Sequence, residues 1–164
     1  MLRRNKAGKL PASGALFAIV ASRYNAMYVD SMLRSAKAEL QRAGARVRVV
    51  RVPGAFEIPV ATARLAQRQS ARYSAILCLG VIFQGETSHA QHIGWGVTHA
   101  LAQIQVQYRI PVIHGVFLFE KEKHARVRCL GRKHNRGTES AQTALEMARV
   151  MKALRSPPFQ DGCL

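Results

Sequence analysis

Ser74-Ala75-Ile76-Leu77-Cys78-Leu79-Gly80-Val81-Ile82-Phe83, followed directly by Gln84-Gly85-Glu86-Thr87-Ser88-His89, is the stretch that decides the fold. Residues 75–83 are apolar throughout except for Gly80, which predicts a strand buried on both faces. The run is far shorter than the roughly 20 apolar residues that span a bilayer. Residues 88–108 then set Ile93, Val97, Leu101, Ile104 and Tyr108 at helical spacing. Pro111 ends that helix, and 112–119 reads as another strand. Strand, covering helix and strand make one parallel crossover unit.

The same alternation extends outward. Towards the N-terminus, 15–21 is a compact apolar strand. A helix over 26–43 carries Met32, Leu33, Ala36 and Leu40 on one face and stops at Gly44. Over 46–52, Arg46 and Arg48 alternate with Val47 and Val49, as in a strand with one wet face near a sheet edge. Pro53-Gly54 turns the chain into a helix over 58–69, where Pro59 suits the first turn. Towards the C-terminus, 121–129 is a charged helical segment. A last helix over 140–154 bears Ala141, Ala144, Leu145, Ala148 and Met151, and Ser156-Pro157-Pro158 breaks it. The order βαβαβαβαα predicts an α/β fold, a three-layer α/β/α sandwich on a four-stranded parallel sheet with flavodoxin-like topology. Such sheets bind ligands beyond the carboxyl ends of their strands, here after residues 21, 52, 83 and 119.

Of the 164 residues, 48% are hydrophobic, enough for one core without disulfides or metals. The expected organisation is a basic N-terminal arm over 1–14, a single domain over 15–155 and a flexible tail over 156–164. Cys78, Cys129 and Cys163 form neither a CxxC pair nor a disulfide framework. With no secretory signal and no membrane span, this points to a reducing, cytoplasmic setting. Lys and Arg number 25 against 9 Asp and Glu, a net charge of +16. That charge attracts polyanions and phosphorylated small molecules alike, but no nucleic-acid reading motif accompanies it. A nucleic-acid-binding protein is the competing reading it leaves. His89, His92 and His99 fall at i, i+3 and i+10, and no HExxH occurs, so no metal is expected. Neither GxGxxG nor a GxxxxGK[ST] loop is present.

Three loops carry the chemistry. In Ser22-Arg23-Tyr24-Asn25, the Tyr24 ring can stack on a flat heterocycle, and Asn25 suits a helix cap. In the next loop Gly54 permits close approach of a ligand and Phe56 offers a second flat surface. Glu57 adds a carboxylate at a helix start, where free N–H groups can grip oxygens. Behind the third strand, Gly85-Glu86-Thr87 opens a helix N-terminus, an anion site by its donors and its dipole, with Thr87 or Ser88 as cap. His89 lies in the first turn, where the positive helix end favours an uncharged imidazole able to accept a proton. Phosphate beside such a base suits elimination of phosphate from a small sugar-like substrate. Each feature also has a plain structural reading: a cap, a Pro-Gly turn, a core Phe, a surface His. The basic run Lys121, Lys123, Arg126, Arg128, Arg132, Lys133 and Arg136 reads as a solvated face, from which one or two groups can meet a phosphate.

Taken in order, five segments resemble one family. They are Arg23-Tyr24-Asn25; Val52-Pro53-Gly54-Ala55-Phe56-Glu57-Ile58-Pro59; Gly80-Val81-Ile82-Phe83-Gln84-Gly85-Glu86-Thr87-Ser88-His89; Pro111-Val112-Ile113; and Asn135-Arg136-Gly137 ahead of Ala144-Leu145-Glu146-Met147-Ala148. The family is 6,7-dimethyl-8-ribityllumazine synthase, and the resemblance spans about residues 15–154. It implies condensation of 5-amino-6-(D-ribitylamino)uracil with 3,4-dihydroxy-2-butanone 4-phosphate, the penultimate step of riboflavin synthesis, with no cofactor and no metal. A non-catalytic flavin- or lumazine-binding member is the alternative.

The resemblance also implies roles by position. Tyr24 would stack on the pyrimidine, and Ala55, Phe56 and Glu57 would line the ribityl chain. Val81, Ile82 and Phe83 would present backbone groups to the heterocycle, while Gly85, Glu86 and Thr87 hold the phosphate. His89 would transfer protons, oriented by Glu139. Arg128 would reach the phosphate from the next subunit, and Arg136 would contact the heterocycle. Sites would lie between adjacent subunits of a homo-oligomer, a pentamer, with a decamer or sixty-subunit shell as larger forms and riboflavin synthase as a candidate partner; neither a membrane nor a specific nucleic acid is implied. Three departures stand out. Gln84 replaces a frequent basic residue, which weakens one substrate contact. His114 stands where an aromatic ring from the adjacent subunit often packs on the heterocycle, and a histidine can still stack there as a substrate-binding residue. The 131–135 connection, with His134 and extra positive charge, argues for the pentamer over the shell.

Overall fold

The computed structural model describes residues 11–67, 72–131 and 134–155. Most of the expected basic arm, the end of the 58–69 helix, Arg132, Lys133, the Ser156-Pro157-Pro158 break, Cys163 and the tail lie outside the described residues.

The elements run β1 (Leu16–Ser22), α1 (Ala26–Arg42), β2 (Arg46–Val52), α2 (Ile58–Ala66), β3 (Ala75–Phe83), α3 (His89–Tyr108), β4 (Val112–Phe119), α4 (Glu122–Ala125), a π-helical turn (Arg126–Leu130) and α5 (Arg136–Ala153). All strand pairs are parallel, in the order β2-β1-β3-β4. This is the flavodoxin-like order, which reverses direction between β1 and β3. Side-chain alternation sorts the strands into two cores. Phe17, Ile19, Leu77 and Leu79 pack with Met32, Ala36, Ala141 and Ala144 of α1 and α5. Ala18, Val20, Ile76 and Cys78 pack with Ile58, Leu65, Val97 and Leu101 of α2 and α3. The strand read as wet is indeed the edge strand β2, with Arg46 and Arg48 exposed. Charged side chains on an edge discourage pairing with stray strands.

Three local expectations change. The 121–129 segment is not one α-helix; α4 gives way to the π-helical turn. The last helix begins at Arg136 rather than at 140. Asn135 caps it: Oδ1 accepts from the Gly137 N–H at 2.9 Å, while Nδ2 donates to the Cys129 carbonyl at 2.6 Å. Gly137 belongs inside this helix because a Cβ there would lie 2.0 Å from the Met32 carbonyl oxygen of α1. Asn25, in turn, caps nothing with its side chain. It sits at φ 56°, and its Nδ2 donates to the Val81 carbonyl at 2.8 Å, tying the loop after β1 to β3.

Candidate active site

The loops leaving β1 and β2, the end of β3 and the first turns of α3 enclose a cleft of about 710 Å³, and Gly85, Glu86 and Thr87 are not among its lining residues. It opens where the strand order reverses, the usual ligand position in such sheets. Tyr24, Ala55, Phe56, Glu57, Val81, Ile82, Phe83 and His89 all line it. Tyr24 and Phe56 are 71% and 64% exposed, two broad aromatic surfaces that their own chain leaves uncovered. Glu57 stands at the start of α2, and its Oε2 accepts from the Gly54 N–H at 2.8 Å, which closes the Pro53-Gly54 turn. Gly54 itself lines the cleft. A Cβ there would meet the Glu57 Oε2 at 2.9 Å and the Tyr24 Cδ2 at 3.1 Å, so the glycine leaves room for these side chains.

At the turn before α3, the N–H groups of Gly85, Glu86 and Thr87 donate to nothing among the described residues. Ser88 occupies the cap position without a side-chain bond, and Thr87 Oγ1 lies 3.4 Å from the His89 N–H. Free donors at a helix start attract an anion. Gly85 has no positive φ, and a Cβ on it would meet nothing within 4 Å. Its backbone conformation does not demand glycine; the missing side chain leaves the donors approachable.

His114, Arg136 and Glu139 lie elsewhere, around a second hollow of about 440 Å³. His114 pairs in register with Cys78, five positions before the β4 end that meets Phe83. At about 3.3 Å per residue that is about 16 Å below the carboxyl edge, so this residue is not at the strand ends. Arg136 donates to Glu139 Oε2 at 2.6 Å and stacks its guanidinium 5.3 Å from the Phe117 ring centroid. Within one protomer, then, Glu139 faces Arg136 and not His89. Thr98 Oγ1 donates its one proton to the Gly94 carbonyl at 2.7 Å. It must therefore accept from His114 Nε2, 2.9 Å away. Partial desolvation in this hollow holds the His114 pKa below the usual imidazole value. Arg128 is exposed on the π-helical turn and has no partner among the described residues, whereas its neighbour Arg126 pairs with Glu122 at 2.9 Å.

Asn25, Ala90, His92 and Ile93 also line the cleft, beyond the residues expected from the sequence. His92, one helical turn beyond His89, shares its face, as their i, i+3 spacing on a helix requires. Asn25 lines the cleft as well as bridging to β3. Cys78 takes no part: burial beside Thr62 pushes its thiol up to about 12. Among the described residues no cluster of three His, Cys, Asp or Glu could hold a metal, and no helix is long and apolar enough to cross a membrane.

These features define a doubly wound α/β protein whose ligand cleft sits at the reversal of its strand order. Residues 14–152 match the 6,7-dimethyl-8-ribityllumazine synthase family, and the chain belongs to it. The chain is 38% identical over 150 residues to the 6,7-dimethyl-8-ribityllumazine synthase of Xanthomonas euvesicatoria pv. vesicatoria, covering 90% of this chain and 96% of that protein. It is 39% identical over the same span to that of Xanthomonas oryzae pv. oryzae, with the same coverage. The Stenotrophomonas maltophilia protein of that name is 38% identical over 143 residues, 85% of this chain and 91% of its own.

Proposed function

We propose that this chain condenses 5-amino-6-(D-ribitylamino)uracil with 3,4-dihydroxy-2-butanone 4-phosphate to 6,7-dimethyl-8-ribityllumazine, releasing phosphate and water. The carrying observation is the cleft itself, where two uncovered aromatic rings, a carboxylate and His89 face one volume beside unoccupied N–H donors. Tyr24 stacks on the pyrimidine, while Ala55, Phe56 and Glu57 hold the ribityl chain. Backbone groups of Val81, Ile82 and Phe83 meet the heterocycle, and the turn at Gly85, Glu86 and Thr87 holds the phosphate. The 5-amino group adds to the ketone, and water leaves as the imine forms. His89 takes and returns the protons that move as the C–O bond to phosphate breaks, the phosphate departing with the electron pair. The ribityl-bearing nitrogen then closes the ring with loss of water. Holding two substrates in register lowers the barrier by about 7–11 kcal/mol, and proton transfer adds about 10²–10⁴-fold.

A neighbouring copy completes the site. His114, Arg136 and Glu139 line a separate hollow, and Arg128, without a partner among the described residues, is placed to reach a phosphate held by another subunit. The face suited to self-association is α3. It exposes Trp95 (79%) and Val106 (75%) and has no Lys, Arg, Asp or Glu in 20 residues, on a chain of net charge +16. The assembly is a homo-oligomer, a pentamer, of one catalytic domain over 15–155. Its working compartment is the cytoplasm, in keeping with the free buried thiols of Cys78 and Cys129. Incubation of the purified protein with both substrates, followed by lumazine absorbance, tests the reading. No product at micromolar protein refutes it.

A further inference from the structure

Gln84 has no role in the reading above. Its own N–H donates to the Phe119 carbonyl at 2.9 Å, which fixes its backbone at the end of the β3–β4 ladder. Its side chain then bends back over the turn that follows. Nε2 donates to the Gly85 carbonyl at 2.9 Å and to the Thr87 carbonyl at 2.8 Å, so both amide protons are used. Oε1 is buried and has no partner among the described residues. Exchanging the two amide atoms would set an acceptor against two carbonyl oxygens, which fixes the orientation.

In a trans peptide the C=O and the following N–H point in opposite directions. Drawing the Gly85 carbonyl onto Gln84 therefore turns the Glu86 N–H away from it, and drawing in the Thr87 carbonyl does the same for the Ser88 N–H. Neither N–H donates to anything among the described residues. We infer that Gln84 is a positioning residue: its amide pins two carbonyls inward so that the N–H groups of Glu86 and Ser88 face the departing phosphate. This rests on the synthase reading and refines it, because it adds the Ser88 N–H to the phosphate donors and gives Gln84 a structural duty instead of a lost contact. The chemical requirement at this position is two protons aimed at carbonyls, which an ammonium group also meets.

The test compares Gln84→Met, of similar length without donors, and Gln84→Lys, which restores them, with the parent protein. Three quantities are read: KM and kcat for the phosphate-bearing substrate, inhibition by inorganic phosphate, and binding of 6,7-dimethyl-8-ribityllumazine, which carries no phosphate. In Gln84→Met, KM for the phosphate substrate and the phosphate inhibition constant both rise about tenfold, the size of one or two net hydrogen bonds. In that variant kcat and lumazine binding stay near parental values. Gln84→Lys keeps the parental phosphate constant or tightens it. Gln84→Met with a phosphate constant within twofold of an active parent overturns the inference alone, as does loss of phosphate affinity in Gln84→Lys with lumazine binding intact. Lost lumazine binding in Gln84→Met also overturns it, since the amide would then support the whole cleft. A parent that neither makes lumazine nor responds to phosphate removes the synthase reading, and the inference with it.

Discussion

Gly137→Ala should loosen the seam between α1 and α5, and the structure sets the size of the effect. The added methyl would lie 2.0 Å from the Met32 carbonyl oxygen and 2.6 Å from its carbonyl carbon and Cα. All three atoms are helix backbone, so no side chain can swing aside. One helix must withdraw by roughly 1.5 Å to restore an ordinary contact of about 3.5 Å. The gap opens over Met32, Ala36, Ala141 and Ala144, all fully buried. Overpacking against rigid backbone costs about 3 kcal/mol, and replacing a helical glycine by alanine returns up to about 1 kcal/mol. The net loss of roughly 2 kcal/mol lowers Tm by about 4–8 °C in a domain of this length. Because the same turn carries Arg136 and Glu139, kcat/KM falls with it. Gly85→Ala is the control, since nothing lies within 4 Å of its added carbon. Its Tm stays at the parental value while its phosphate affinity drops. The assay is thermal unfolding by circular dichroism at one protein concentration, since the Tm of any self-associating protein depends on concentration. A Gly137→Ala protein melting within 1 °C of the parent refutes the close approach of the two helices.

Glu57→Ala leaves the Gly54 N–H without its acceptor and costs about 1.5–3 kcal/mol, whereas Glu57→Gln keeps an acceptor oxygen and costs less; urea midpoints separate the two. His114 has a depressed pKa in the folded chain, so below the usual imidazole value of 6.5 the unfolded chain binds its proton first. Its contribution to stability is full above that value and is lost as pH falls through the folded pKa; His114→Phe should flatten Tm between pH 7 and pH 5, and an unchanged slope counts against it. Cys78 and Cys129, pushed up to about 12 and about 11 by burial, should resist iodoacetamide at pH 8 until denaturant is added, as read by peptide mass spectrometry.

Most of the sheet was legible because its strands announce themselves locally. Residues 75–83 are apolar on both faces, and the Arg46 and Arg48 alternation marked β2 as an edge. What escaped depends on contacts far apart in sequence. The apolar spacing marks the last helix only from 140, four residues after its start at Arg136, because the first turn is set by the Asn135 cap and by the contact of Gly137 with the Met32 carbonyl. Asn25 looks like a cap, yet its amide reaches Val81, 56 positions away. The π-helical turn at Arg126–Leu130 has no sequence signature of its own, since its residues would serve an α-helix equally well. At the site, Tyr24, Phe56, Glu57, the end of β3 and His89 line one cleft, while Gly85, Glu86 and Thr87 are not among its lining residues. His114, Arg136 and Glu139 line a separate hollow, because His114 lies mid-strand on β4 and the other two sit on the first turn of α5.

That separation has a numerical consequence. Suppose each site takes His89 from one subunit and Arg128 from the next around a closed ring. His89→Ala and Arg128→Ala proteins would then each be impaired at every site. Mixed in equal amounts, unfolded together and reassembled, they distribute at random. A site is intact when the subunit supplying His89 is the Arg128→Ala chain and its neighbour is the His89→Ala chain, which happens at about a quarter of positions whatever the ring size. Another quarter of the sites lose both groups, and half lose one. Activity should therefore recover to about a quarter of the reassembled parent, above the residual rate of either variant alone. Were both groups drawn from one chain, no combination of the two variants could place an intact pair in any site. Recovery no greater than the mean of the two parental mutants would then locate the whole reaction within a protomer, and Arg128 would have to be dropped from the phosphate site.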